Sequence, residues 1–524
     1  MSTAVQAQTD YEVGQDNVRI LGLDLHNPVF FVSAVVIVGF VILVLMFQEG
    51  AAEFFGWLRP WLTSTFDWLF MTAANIFVLF CLFLVVSPYG GIRLGGSDAR
   101  PDYSYAGWFA MLFAAGMGIG LMFFGVLEPV YHFQNPPLGV DPENVEAARS
   151  IGMAATIFHW GLHPWAIYAV VALGLAFFCY SRGLPLTIRS AFYPLLGERV
   201  WGWFGHVIDT LAVFATLFGL ATSLGFGAEQ ASAGLDYLFG VPVTDVTKVV
   251  LILAITAVAL GSVVAGMDAG VKRLSELNMI LAMLLLLFVI VFGPTLQILT
   301  GMFTNTWAYL TEVVPLSNWI GREDTEFVHG WTTFYWAWWI SWSPFVGMFI
   351  ARVSKGRTVR EFVTCVLIIP SLVCVLWMTA FGGTAISQFV DQGYTGVVDT
   401  VTAYTPELSL YRMLEPLPLS GISSFVGMVL VIVFFVTSSD SGSLVIDTIT
   451  AGGKIDAPVA QRVFWAIFEG LVAIALLLGG GLAALQAAAI STGLPFAIVL
   501  LLMCVCIFMG LREERQLMAR AARP

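Results

Sequence analysis

Apolar stretches long enough to cross a lipid bilayer recur along this chain from Pro28 to Met509, parted by short polar segments. An α-helix needs about 20 predominantly apolar residues for one crossing. Inside the hydrocarbon only helices and closed barrels satisfy their own backbone. The recurrence therefore restricts the chain to an all-α polytopic membrane protein, and about twelve transmembrane helices fit. The coarse spans are 29–47, 69–89, 106–133, 151–179, 201–238, 247–267, 277–299, 328–351, 362–382, 421–449, 459–480 and 486–511. Composition agrees, with 58% apolar and 11% charged residues among 524, far from the balance of a soluble domain. Residues 1–28 carry Asp10, Glu12, Asp16 and Asp24, with no basic n-region and no small-residue cleavage site. They read as a polar cytoplasmic tail, and the first span as a retained helix rather than a signal peptide.

With the N-terminus placed in the cytoplasm, the loops that follow even-numbered spans hold the basic residues. Arg93, Arg100, Arg182, Arg189, Lys272, Arg273, Arg352, Lys355, Arg357 and Arg360 fall inside, as do Arg512, Arg515 and Arg520 in a short C-terminal tail over 512–524. The opposite loops are acidic, with Asp141, Glu143, Glu146, Glu323, Asp324, Glu326, Asp391 and Asp399. This bias satisfies the positive-inside rule with both termini cytoplasmic. A formal charge of −12 without a basic patch leaves no footprint for nucleic acid. Trp307, Leu310, Val313 and Leu316 predict an amphipathic helix along the outer face within Asn305–Glu326, and Ser387–Ser420 is polar enough to be an extracellular cap. The six cysteines all lie in apolar runs without metal-ligand spacing to a histidine, the pattern of packed thiols.

Two spans carry unusual interruptions. The third holds Gly116, Gly118 and Gly120, followed by Gly125 and an embedded Glu128-Pro129; the tenth holds a hydroxyl run from Thr437 to Ser443 around Asp440. Broken helices at membrane depth survive only where protein or a water-filled cavity satisfies the freed backbone, and in secondary transporters they mark the binding site. A lone glycine pair would read as a close-packed seam. Three alternating glycines beside a Glu-Pro favour unwinding.

Aromatic residues concentrate several turns into two spans. Trp160, Trp165 and Tyr168 lie in IFHWGLHPWAIYA, and Trp336, Trp338, Trp339 and Trp342 in FYWAWWISWSPF. That depth argues against an interfacial belt. Ring faces hold a quaternary ammonium by their quadrupoles, yet on the aromatics alone a packed core and a cation cage stand equally open. His159 and His163, spaced i, i+4, read as hydrogen-bonded packing residues rather than metal ligands, because no acidic or thiol partner at suitable spacing accompanies them. Glu128 and Asp440 are intramembrane carboxylates and so functional candidates, with Glu128 read first as a tether of the broken helix. GMGIG lacks the spacing of a dinucleotide site, and Ile455 follows Gly453-Lys454, so no phosphate loop exists. No nucleophile–base pair or metal cluster supports an enzyme.

GMGIGLMFFGVLEP, FHWGLHPWAIYA, FYWAWWISWSPFVGMFIAR and FFVTSSDSGS together resemble the betaine/choline/carnitine transporter family, over about Tyr105 to Ser443. The resemblance implies a LeuT-like fold of two inverted five-helix repeats, about 106–299 and 328–511, preceded by two extra helices, the whole transporter domain running from 29 to 511. It also implies a homotrimer in the bacterial inner membrane. Carried over by position, the family's aromatic substrate box falls on Trp160, Trp165, Tyr168 and Trp339, with Trp342 nearby, and a substrate carboxylate would meet the backbone of Gly116, Gly118 and Gly120. One sodium position falls on the carbonyls of Ala114, Met117 and Phe434 and the hydroxyls of Thr437 and Ser438. A second rests on Thr216 alone, because Leu220 stands where sodium-coupled betaine carriers have another hydroxyl.

The implied function is sodium-coupled uptake of a trimethylammonium or sulfonium zwitterion such as glycine betaine, with no cofactor beyond the coupling ion. A carrier or exchanger of choline, carnitine or trimethylamine N-oxide is the alternative, and a membrane sensor without transport a further one, although no output domain is visible. Choline-preferring relatives tend to carry an aspartate at the end of the glycine run. Gly120 is neutral, so Gly120→Asp is expected to shift preference toward choline. The short C-terminal tail also departs from the long charged tails of osmosensing members.

Overall fold

In a computed structural model, which describes residues 9–265 and 272–521, nearly all of the chain is helix. The apolar runs become α1 (Val29–Met46), α2 (Gln48–Val86), a bent pair α3 (Tyr105–Gly116) and α4 (Ile119–Gln134), then α5 (Val145–Trp160) and α6 (Leu162–Ala176). A short helix α7 (Tyr193–Leu196) precedes α8 (Trp203–Phe239), α9 (Asp245–Ala265), α10 (Lys272–Phe292) and α11 (Thr295–Ser317). The second half holds α12 (Thr333–Val353), α13 (Val359–Gln392), the short α14 (Gly396–Thr402) and α15 (Ser409–Leu414), then α16 (Ser420–Thr450), α17 (Val459–Leu478) and α18 (Gly481–Ala521). Among the described residues, 10 helices are long and apolar enough to cross a membrane, and the α3–α4 pair makes 11. α12, expected as the eighth span, is not among them. Its four tryptophans and Tyr335 make it less apolar than its neighbours, but it is buried along nearly its whole length.

Several boundaries differ from the sequence expectation for physical reasons. The seventh span ends at Phe292 rather than 299, because Gly293-Pro294 cannot continue a helix. The amphipathic helix accordingly starts earlier and covers Thr295–Ser317, exposing Phe303, Trp307 and Val314 while burying Ile298, Tyr309 and Leu316. α2 begins at Gln48, 21 residues before the expected start, and its 39 residues make a rod of about 58 Å, well beyond what one crossing needs. The fourth span is two helices that meet at Gly161, where a Cβ would lie 2.7 Å from the Ile157 carbonyl oxygen. The tenth span, expected to be interrupted, is one continuous helix. Its hydroxyls bond carbonyls one turn back, Thr437 to Val433 and Phe434 and Ser443 to Asp440, so they find partners without breaking the helix.

At both ends the described residues are ordered into elements. α18 carries the chain helically to Ala521, and residues 522–524 lie outside the described ones, as do 1–8. Residues 17–26 form an antiparallel hairpin of β1 (Asn17–Ile20) and β2 (Leu23–His26). This hairpin is stapled to the α16–α17 connection by Asn17 to the Ala451 carbonyl (2.9 Å) and Lys454 to Asp24 (2.6 Å). It is also clamped by Arg189. That guanidinium is fully buried, 3.2 Å from Asp209, and donates to the Tyr11 hydroxyl (2.8 Å) and to His26 Nε2 (3.1 Å). Burial and the adjacent guanidinium push His26 down to about 3, so its neutral ring accepts a hydrogen bond from the arginine.

The unfolded hairpin would protonate His26 near pH 6.5, while the docked form resists until far lower. Its stabilising contribution is thus complete above that value and lost as pH falls below it. Limited proteolysis of the N-terminal segment should accelerate on mild acidification of wild type and become less pH-dependent in His26→Gln. Equal acid sensitivity in both would contradict the clamp.

Candidate functional site

The bend between α3 and α4 is 64°, and its cause is local. α3 ends at Gly116, Met117 turns out of the helix, and Gly118 is fully extended with φ −177° before α4 resumes. α4 therefore opens with N–H groups of its first turn that have no helical acceptor, the partly positive end of a 16-residue helix.

This opening faces a cavity of about 490 Å³ lined by residues 115–121, Trp160, Pro164, Trp165, Tyr168, Ser223, Trp338, Trp339, Trp342 and Cys374. The structure thus brings together every aromatic residue and glycine expected at the substrate position. Trp160 meets Trp339 edge to face at 4.9 Å, Trp165 meets Tyr168 at 5.2 Å, and Tyr168 meets Trp339 at 6.2 Å. Trp338, which the sequence reading left out of the box, stacks on Trp339 at 4.8 Å. Its signal was available, since Trp338 and Trp342 are spaced i, i+4 and share one helix face. No ionised side chain lines this cavity among the described residues.

Each indole is held at its N–H. Trp339 donates to the His159 carbonyl (2.9 Å), Trp342 to Gly219 (2.8 Å), Trp165 to Trp160 (3.2 Å) and Trp338 to the Ser223 hydroxyl (3.2 Å). Trp160 donates to Glu128 (2.7 Å), which also accepts from the Tyr335 hydroxyl (2.6 Å) and meets His159 Nδ1 at 2.5 Å. Glu128 is therefore a tether, joining α4 to α5 and α12. The fold brings it to His159 from 31 residues away, a partner that local spacing could not reveal. His163 turns elsewhere, to Asn75 at 3.0 Å, so the two histidines share no ligand.

The glycines differ in what they permit. A Cβ on Gly118 would meet nothing, and on Gly116 it would lie 3.4 Å from Trp165. On Gly120 it would be 2.8 Å from the Trp160 ring and 3.0 Å from Trp338. The expected switch to choline by Gly120→Asp thus meets a steric obstacle, because the box walls must move before a carboxylate fits.

Ala114, Met117, Phe434, Thr437 and Ser438 line one further cavity of about 740 Å³, together with Asn278 and Trp342. The Thr437 hydroxyl accepts from Asn278 Nδ2 at 3.0 Å. Carbonyl and hydroxyl oxygens in one cavity are a donor set that suits a hard cation. This cavity shares Ala115, Met117 and Trp342 with the aromatic one, so the unwound segment borders both. Thr216 stands apart. Its hydroxyl bonds Ala212 in its own helix (2.7 Å), and Leu220 packs directly on Gly442 of α16.

The sequence model described as a betaine/carnitine/choline family transporter matches residues 28–516. A glycine betaine/proline/choline transporter of Vibrio parahaemolyticus is 61% identical over 98% of this chain and 96% of its own length. Glycine betaine transporter 1 of the same organism is 56% identical over 97% of this chain and 98% of its own. A glycine betaine transporter of Acinetobacter baylyi is 45% identical over 93% of this chain and 74% of its own. With a bundle of membrane-crossing helices and a match over nearly the whole chain, this protein belongs to the betaine/carnitine/choline family of transporters.

Proposed function

We propose that the chain imports a trimethylammonium zwitterion of the glycine betaine type, coupled to sodium. The observation that carries this reading is the aromatic cavity without an ionised side chain at the open N-terminal end of α4. Ring faces attract the ammonium head. The helix end attracts the carboxylate, and no protein anion is present to repel it or to favour a net cation. Relatives named for glycine betaine support the same substrate class. Choline and proline, printed in one relative's name, are the competing substrates, and a panel of labelled solutes taken up by proteoliposomes decides between them. Sodium would take the oxygens of Ala114, Met117, Phe434, Thr437 and Ser438. A homotrimer in the inner membrane, with both termini in the cytoplasm, completes the proposal.

Trp339→Ala and Trp165→Ala are each expected to weaken betaine binding about tenfold or more, since one desolvated ring contact contributes on the order of 1 to 2 kcal/mol. Phenylalanine at either position should be better tolerated. In tryptophan-fluorescence titrations of these variants and of Gly120→Asp, the last should weaken betaine and choline alike. Unchanged binding in both alanine variants would remove the box.

Transport is expected to use nearer one sodium than two per substrate, because Leu220 supplies no oxygen beside Thr216, and one hydroxyl would leave a second ion underligated. One ion with a zwitterion moves one charge, about 2.3 kcal/mol of driving force per 100 mV. Dual-isotope fluxes in proteoliposomes measure the ratio, and Thr437→Ala and Ser438→Ala should lower apparent sodium affinity. A ratio of two, or full uptake without sodium, would contradict this assignment.

A further inference from the structure

Thr437 and Ser438 on α16 line the hydroxyl-rich cavity, and the next two residues bond away from it to other helices. Ser439 Oγ donates to Glu469 Oε2 of α17 at 2.9 Å, and Asp440 accepts from Ser262 of α9 at 2.5 Å. Glu469 is completely buried midway along α17, and its second oxygen, Oε1, has no hydrogen-bond partner. Beside it, Thr256 Oγ1 lies against Gly470 and is buried and unpartnered as well.

Among the described residues, no cation compensates this carboxyl. The charged side chain acting on Glu469 is Asp440, a like charge. Arg462, two turns nearer the start of α17, acts on Asp440 and Asp447 instead, and no ion pair reaches Glu469 among the described residues. The other helices packed on α17 bring no remedy. α1 contains no titratable residue, and α18 contains no acid or base before Arg512. Of the acids of α8, Asp209 is engaged by Arg189 and Glu229 by Lys248, while Asp236 is exposed near the helix end; its one histidine, His206, lies against Arg189. From α9, Thr256 lies against Gly470 and Ser262 bonds Asp440, its Asp245 is exposed, and its Lys248 is the one paired with Glu229.

An ionised carboxylate left uncompensated at membrane depth costs several kcal/mol. A bound metal ion would need oxygens on several sides, yet one hydroxyl reaches Glu469, and this residue lines neither the aromatic nor the hydroxyl-rich cavity. A proton needs no such shell. We propose that Glu469 is a proton-binding site, loaded in this conformation and set among Ser439, Asp440 and Thr256 on the side of α16 turned away from the candidate sodium hydroxyls. Because Thr437 to Asp440 are consecutive, any movement of α16 that rearranges one site also changes the surroundings of the other.

Infrared spectroscopy of the full-length protein in lipid tests this without any substrate, so its failure is separate from failure of the betaine reading. At neutral pH wild type should show the carbonyl stretch of a buried protonated carboxyl, absent from Glu469→Gln and shifted in Ser439→Ala. The second variant keeps the test decisive if the first does not fold. With sodium and voltage held fixed, betaine uptake by wild type should decline as pH rises through the value that removes this band, while Glu469→Gln should transport without that decline. Superimposable carboxyl spectra for wild type and both variants would overturn the proposal. So would complete loss of uptake at every pH in a folded Glu469→Gln.

Discussion

Backbone hydrogen bonding governs this molecule more strongly than any side chain. In the hydrocarbon interior an N–H or C=O without a partner costs several kcal/mol, so the chain can leave the helix only where something else meets the freed groups. It does so between Gly116 and Gly118, and again at Gly161. The aromatic cavity includes the first of these breaks and residues on either side of the second, Trp160 and Pro164. Where the sequence merely offers hydroxyls, as in α16, the helix keeps its own bonds and runs through.

The aromatic residues depend on that backbone for their orientation. A ring attracts a cation over its face but not at its edge, so a box works only if its rings cannot turn. Each tryptophan of the box is pinned at its N–H, four of them to carbonyls or to Glu128 and Trp338 to a serine hydroxyl. Glu128 serves two walls at once, since it also fixes Tyr335, whose ring stacks near Trp339. A buried carboxylate is costly unless hydrogen-bonded, and three donors from two helices meet this one.

Much of this was legible in the sequence because the signals were local. The length of the apolar runs gave the helices, the glycine triplet gave the break in the third span, and the family resemblance named Trp160, Trp165, Tyr168 and Trp339, which the fold brings around one cavity. What the sequence left unseen shares a cause, since it was decided by packing between distant segments. The helix breaks at Gly161, against which Tyr309 of α11 packs. Glu128 and His159 meet across 31 residues. The N-terminal residues, read as a tail, dock because Arg189 needs acceptors that Tyr11 and His26 provide. Glu469 went unremarked because a single acid in an apolar run gives no hint of whether a base lies opposite.

The central claim is that ring faces, and not shape alone, select the substrate head group. Binding of glycine betaine should be compared with its carbon isostere 3,3-dimethylbutanoate, which keeps the size and the carboxylate but replaces the ammonium by an uncharged quaternary carbon. Two or three ring contacts predict a loss of at least about tenfold for the isostere. Equal affinity for the two would show that the box reads volume only, and would contradict the account.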